Sequence, residues 1–321
     1  MVNNSIIWVL IDERPGNRSQ ALGVAEALNL PYTVKNISYN FLVRLPNTLL
    51  GRSMVGLDAL SHKKLTPPWP QLVIAAGRRS APVALSIKKK SGGYVRLVHI
   101  MRPGIKNREF DLIAVPAHDN PLSGDNVMSI IGAPHGVSES VLAKAREKWM
   151  PELDKLPEPR VAVFVGGSTR HRKFTRAMAR EFGERVSDMA MRSGGSLMIS
   201  TSRRTGAEVE ALFHRISCPA RIYRWNDGEK NPYLGFLACA DAVVVSGDSV
   251  SMCSEACAVS VPVQIFAPPG LITPKHARCH TTLYDAGYAA PFDGLLKNHA
   301  HSILNASNTI AKIIKDRLIN L

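Results

Sequence analysis

Cysteine is scarce and unpatterned: Cys218, Cys239, Cys253, Cys257 and Cys279 are the five in 321 residues. An odd number set mostly inside apolar segments is no disulfide framework and points to a reducing compartment. Cys253 and Cys257 stand four apart, yet only His276 and His280 follow them, and structural zinc asks for paired short knuckles rather than an interrupted helix. Aromatic residues make up 6% of the chain; with no nucleic-acid-binding motif, stacking platforms for single strands are not expected. No apolar run is long enough to span a bilayer. The opening MVNNSIIWVLIDERPG turns acidic at Asp12 and Glu13, so it reads as a buried first strand and not as a secretion signal. A cytoplasmic protein, at most peripheral on the inner face of a membrane, is expected. No Gly-x-Gly-x-x-Gly follows the first strand and no Tyr-x-x-x-Lys pair exists, which sets aside a dinucleotide-dependent epimerase.

Acidic residues are short in one place. The formal net charge is +14, and residues 1–110 carry 16 Lys/Arg against 5 Asp/Glu. The first third either faces an anion (nucleic acid, a phospholipid surface, a phosphorylated substrate) or is a plain soluble basic surface.

What is present is alternation. Apolar, β-branched runs at 5–12, 32–37, 70–77, 94–101, 111–116 and 127–131 read as strands, with helices at 19–28 and after Ser80. Pro151–Pro159 holds three prolines, after which the pattern restarts. Strands are expected at 160–165, 195–201, 220–224, 241–246 and to Phe266, with helices at 174–192, 208–216, 276–286 and 302–319. Strands alternating with helices imply mostly parallel sheets covered on both faces, hence two Rossmann-like α/β domains. We place them at 1–155 and 156–300, with a carboxy-terminal helix, 301–321, packing back across them.

Several loops carry more polar groups than connectors need. Asp12–Gln20 holds Asp12, Glu13, Arg14 and Gln20; it is either ligand-facing or a capped helix start with exposed charges. Arg78-Arg79-Ser80 opens a helix, with Ser80 as N-cap and Pro82 in the first turn, a second anion-ready helix start. Between them, residues 41–64 interleave large apolar residues with Arg44, Arg52, Lys63 and Lys64. Pro46 and Gly51 break this stretch too often for it to span; it reads equally as a membrane-interface segment and as an ordinary buried helix pair.

Three loops of the second half end parallel strands on one carboxyl edge: Gly166-Gly167-Ser168-Thr169, Ser202-Arg203-Arg204-Thr205 and Gly247-Asp248-Ser249-Val250-Ser251. The two glycines would let backbone approach a pyrophosphate, and Ser202, Arg203 and Thr205 could supply charge and hydrogen bonds to it. The unpaired N–H groups after Gly247 suit an anion. Glu255 lies four residues past Ser251, too far for a capping box. Its carboxylate either accepts two hydrogen bonds from a ribose diol or merely complements the helix dipole.

The blocks DERPGNRSQALGVAEAL, AAGRRSAPVAL, FDLIAVPAHD, GGST, STSRRT, NPYLGFLACAD and GDSVSMCSEAC resemble the Elm-type mitochondrial fission family in its bacterial branch, in order and along nearly the whole chain. Plant members are implicated in recruiting a dynamin-related protein to mitochondria, a role that does not simply transfer to bacteria. More distantly, the second half is similar to the nucleotide-binding domain of GT-B glycosyltransferases. That resemblance implies a GT-B-like fold with a cleft between domains. It implies Gly166, Gly167 and Ser168 near the phosphates, Ser249, Ser251 and Met252 at the helix start, and Glu255 on the ribose. Where those enzymes often carry a histidine base, this chain has Asn17, which takes no proton; Asp12 is the nearest substitute. The expectation is a metal-independent, cofactor-free transferase using a nucleotide sugar. Asp12 or Glu13 would take the acceptor proton, Arg203 or Arg204 would stabilise the leaving group, and Arg14, Gln20, Arg78, Arg79 and Ser80 would face an anionic or lipid-linked acceptor. The alternative is a non-catalytic, membrane-associated adaptor.

Overall fold

The computed structural model describes residues 6–105, 107–119, 122–228 and 230–318; Ser5 and Ile319, at the ends of two expected segments, lie outside them. It divides into two compact units, residues 1–136 with 305–321, and residues 137–304.

In the first unit the strands are β1 (Ile7–Ile11), β2 (Tyr32–Asn36), β3 (Leu72–Ala76), β4 (Arg96–Ile100), β5 (Leu112–Pro116) and β6 (Val127–Ile130). They form one sheet in the order β2-β1-β3-β4-β5-β6, parallel at every pairing. Because side chains alternate along a strand, β1 feeds two cores. Ile7, Val9 and Ile11 pack with helix α1 (Pro15–Leu28), and Trp8 and Leu10 lie in a second cluster with Val83, Ala84 and Ile87. The latter three sit on α4 (Ala81–Lys90), which follows the short helices α2 (Asn47–Leu50) and α3 (Ala59–Lys63).

The second unit repeats the plan. Helix α5 (Glu139–Leu153) leads to β7 (Arg160–Val165), α6 (Arg176–Arg192), β8 (Ser196–Thr201), α7 (Glu210–Phe213), β9 (Ala220–Tyr223) and α8 (Tyr233–Ala238). Then come β10 (Ala242–Ser246), α9 (Val250–Ala256), β11 (Val263–Phe266), α10 (Pro274–Asp285) and β12 (Ala290–Pro291). The sheet order is β12-β11-β10-β7-β8-β9, again parallel throughout. Val161, Val163 and Val165 pack on Phe182 and Val186 of α6.

Three boundaries differ from expectation. Helix α1 starts at Pro15, four residues early, because proline's fixed φ suits a first helical position and its missing N–H costs nothing there. Gln20 therefore sits in the second turn. The units part after Gly136 and not after 155, since α5 packs against α8; Pro151 lies inside the last turn of α5. The last helix, α11 (Ala306–Arg317), starts four residues later than expected. It packs against α1, with Ile310 and Ile314 in the α1 core, and Ser307 Oγ donates to the His135 carbonyl over 2.8 Å.

Candidate functional site

Open parallel sheets bind ligands outside the carboxyl ends of their strands, where the strand order reverses direction. In the second unit that point lies between β7 and β10, and the loops leaving those strands are Gly166–Thr169 and Gly247–Ser251. In the first unit it lies between β1 and β3, at Asp12–Asn17 and Gly77–Ser80.

The second-unit edge is held by a buried acid. Asp248, 2% exposed, accepts a hydrogen bond from Ser246 Oγ (2.7 Å) and pairs with Arg204 Nη2 (2.9 Å). Ser246 Oγ in turn accepts the Gly166 N–H at 2.7 Å. Arg204 Nη1 donates to the Ser168 carbonyl (3.3 Å), and the Arg204 carbonyl accepts the Ser168 N–H (3.0 Å). The three expected loops thus meet through one ion pair and its hydrogen bonds.

The glycines serve this meeting. A Cβ on Gly166 would overlap the Asp248 carboxylate, and one on Gly167, whose φ is +130°, would overlap the Arg204 carbonyl. The Cβ side of both glycines is filled by the protein's own loops. We expect Gly167→Ala to cost about 3 kcal/mol, combining backbone strain with overlap, read as a lowered midpoint in urea unfolding. Ser202 and Thr205 are likewise committed. Ser202 Oγ donates to the Gly166 carbonyl, and Thr205 Oγ1 accepts the Ser202 N–H (2.8 Å) while lying 3.0 and 2.8 Å from the Val165 and Gly166 carbonyls. Arg203 alone of this loop is exposed, with a charge directed to solvent. Ser168 Oγ accepts the Phe174 N–H.

On the other side of β10, Ser249 caps α9 by accepting the Met252 N–H (3.4 Å), so one of the free N–H groups expected to meet an anion is already satisfied. The Gly247 carbonyl faces His280 Nε2 at 3.0 Å. Ser251 and Met252 are half-buried in the first turn. Glu255 stands one turn further along. Its Oε2 accepts the Tyr233 hydroxyl (2.8 Å), and the Tyr233 ring packs on Phe164 of β7, centroids 4.4 Å apart. Burial raises the Glu255 carboxyl to about 7, the Tyr233 bond pulling weakly the other way. Burial and the Glu255 charge hold the Tyr233 phenol well above its usual range. Beside Asp248, His276 is kept below the ordinary histidine value by burial, against the pull of the Asp248 charge.

In the first unit, Asp12 is buried and hydrogen-bonded on both oxygens: it accepts the Arg14 N–H (3.1 Å) and Asn17 Nδ2 at 3.2 and 3.0 Å. Asn17 fits because Gly77, at φ +80°, has no Cβ to strike it. Glu13 is exposed and paired with Arg79 (2.8 Å), whose guanidinium lies 5.8 Å from the Tyr39 ring centroid. Burial first, then the Asp12 charge, pushes the Tyr39 phenol far up. The Tyr39 hydroxyl and Gln20 Oε1 are buried with no hydrogen-bond partner among the described residues. Arg14 is exposed. Two of the residues expected to meet an acceptor are structural instead. Arg78 Nη1 and Nη2 donate to the carbonyls of Leu45 (2.8 Å) and Val43 (2.9 Å). Ser80 caps nothing: its hydroxyl lies 2.9 Å from the carbonyls of Ala76 and Gly77.

Tyr233 and Tyr39 were not singled out in the sequence, Asp248 was read only as part of its turn, and His276 was weighed only against zinc. The one local signal was the Ser-Gly-Asp-Ser turn around Asp248; its partner Arg204 lies on another loop.

The sequence profile described as mitochondrial fission ELM1 matches residues 15–318. The chain belongs to the mitochondrial fission ELM1 family. An uncharacterized protein of Rickettsia prowazekii is 29% identical to this ELM1-family chain, over 96% of it and 97% of that protein. The mitochondrial fission protein ELM1 of Arabidopsis thaliana is 30% identical over 68% of this chain and 56% of that protein. Among solved structures, Acinetobacter baumannii MurG has a TM-score of 0.52 at 15% identity, covering 97% of this chain and 99% of that one. A Methanocaldococcus jannaschii UDP-GlcNAc 2-epimerase has the same TM-score and coverage at 13% identity. At such identities the likeness is one of fold, and that fold is the α/β arrangement shared by GT-B glycosyltransferases and these epimerases.

Proposed function

We propose that this chain binds a nucleoside diphosphate sugar on its second unit and transfers the sugar to an anionic or lipid-linked acceptor. The observation that carries the reading is Glu255: one oxygen takes the Tyr233 hydroxyl, and the carboxylate stands on the helix that follows β10, at the reversal of strand order. The pair fixes the carboxylate's direction, leaving its second oxygen for a ribose diol. The M. jannaschii epimerase of this fold was crystallised with UDP-GlcNAc and UDP, which supports a nucleotide sugar as the ligand class.

In this reading Arg203 supplies the positive charge for the diphosphate, with no metal or cofactor called on, because Arg204 is held by Asp248. The acceptor hydroxyl gives its proton to Asp12 as its oxygen bonds to the anomeric carbon. The bond from that carbon to the diphosphate breaks, and the nucleoside diphosphate leaves with the electron pair. Glu13, the other candidate, is already paired with Arg79. Arg14 and the unpaired Gln20 Oε1 and Tyr39 hydroxyl would face the acceptor.

A thermal-shift panel of uridine, guanosine and adenosine diphosphates tests the binding. One of them, at a hundred times its dissociation constant, should add about 2.7 kcal/mol, a rise of roughly 5–10 °C. No shift with any of the three, and an unchanged response in Glu255→Ala, would sink the proposal.

One observation favours a second reading, a membrane-associated adaptor without catalysis. Asn17 Nδ2 reaches both oxygens of Asp12, so an acceptor hydroxyl would find that carboxylate already engaged. The two readings part on product: the adaptor binds nucleotide sugar, if at all, without consuming it.

A further inference from the structure

Five of the ten large hydrophobic side chains exposed among the described residues fall within 41–60: Phe41 (76%), Leu45, Leu49 (72%), Val55 and Leu60 (70%). Their neighbours Val43, Leu50, Met54 and Leu57 are buried, so these four anchor the segment while the five named above are exposed. The segment is also rigidly built. Arg78 donates to the Val43 and Leu45 carbonyls, Asn40 Nδ2 donates to the carbonyls of Val55 and Leu57 at 2.7 and 2.8 Å, and Asn47 Nδ2 donates to the Arg78 and Pro103 carbonyls. An apolar face fixed in this way is a presented surface and not a frayed loop.

Beside it lies a basic hollow. A cavity of about 390 Å³ is lined by Arg52, Val55, His62, Lys89 and Lys90, with Ser53, Met54 and Ser86. No acidic side chain lines it. Of the acids nearby, Asp58 caps α3 through the Ser61 N–H, while Glu109 pairs with Arg52 Nε, so the hollow's unanswered charge is that of Lys89 and Lys90. Arg44, Lys63 and Lys64 add exposed cations along the same segment.

We propose that this face docks on an anionic phospholipid bilayer, with Phe41, Leu45, Leu49, Val55 and Leu60 entering the acyl boundary and the Arg52–Lys89–Lys90 hollow receiving a lipid phosphate. Charge selects this occupant. A soluble partner's apolar patch would match the leucines but leave the cations unanswered, whereas a membrane interface pairs acyl chains with phosphates in the same layers. The inference stands apart from nucleotide-sugar binding, which uses the other unit.

Flotation of the full chain with vesicles of phosphatidylcholine alone, and of phosphatidylcholine with one-third phosphatidylglycerol, tests it. The wild type should partition to the anionic vesicles. Lys89→Gln/Lys90→Gln should lower that partition about 25-fold, near fivefold per cation, while leaving neutral vesicles unaffected. Phe41→Ser/Leu49→Ser/Leu60→Ser should lower it more than 100-fold, since each change withdraws a large apolar side chain from the acyl boundary. The control Leu295→Ser/Ile303→Ser, which removes exposed apolar residues elsewhere, should float like wild type. All sites are on the surface, so unchanged melting curves confirm folding. No partition of the wild type, equal partition of the variants, or a wild-type dimer that the apolar variant dissolves without any vesicle binding would each overturn the proposal.

Discussion

Affinity for the nucleoside diphosphate sugar should rise about tenfold between roughly pH 6 and pH 8, and Glu255→Gln should abolish the rise. Burial places the Glu255 carboxyl at about 7, so its ionised fraction goes from about one-tenth to about nine-tenths across that window. Only the ionised form accepts two hydrogen bonds from a diol. The sugar's pyrophosphate does not titrate there, and His276, held low by burial, stays neutral across the upper part of the window. Outright removal, Glu255→Ala, should weaken binding by about 10- to 100-fold, the range for hydrogen bonds to a charged group. Stability moves in the opposite sense. A carboxyl raised in the folded state contributes stability that is fully present below its ordinary value of 4.5 and is lost as pH rises through about 7. At alkaline pH the ligand-free wild type should therefore melt below Glu255→Gln by at most about 3 kcal/mol, a gap that closes in acid. Isothermal titration and thermal melts at matched pH check both parts; a flat pH profile for wild-type binding would dissociate Glu255 from the ligand.

Arg204→Ala should be the most destabilising surface-loop substitution in the second unit, costing about 3–5 kcal/mol, or roughly 10 °C in melting temperature. The Asp248 side chain is fully buried, and losing its cation would leave an uncompensated charge between three loops. The double variant Arg204→Ala/Asp248→Ala should recover more than half of that loss, because the stranded charge goes too. A single variant within about 1 kcal/mol of wild type, well below the range for a broken buried pair, would show that the ion pair does not organise the edge.

The alternation of β-branched runs and amphipathic segments was enough to expect two parallel α/β units, because strands buried on both faces read as near-continuous apolar runs. Arg160–Val165 and the β10 run show it directly. The division between units was less legible. Prolines at 151–159 mark a local turn, whereas the unit limit depends on α5 packing against α8, 80 or so residues on in sequence, which no local pattern reveals. The same physics limits the site. Gly166 and Gly167 carry a real signal, that no Cβ fits, but the sequence cannot tell a ligand from the protein's own Asp248 and Arg204 as the reason. Arg78 looks like a free cation until the carbonyls of residues 43 and 45 are seen around it. Glu255 was legible as a carboxylate on the helix after β10; the Tyr233 bond that orients it was not. Residues 41–64 read equally as buried or interfacial, and the structure divides them, with Val43 and Leu50 inside and Phe41 and Leu49 outside.

Backbone hydrogen exchange of the full chain with and without saturating UDP-GlcNAc tests the central claim most directly. Slowed exchange is expected at residues 247–256 and 166–169. Unchanged exchange throughout, or protection confined to residues outside those two loops, would contradict it.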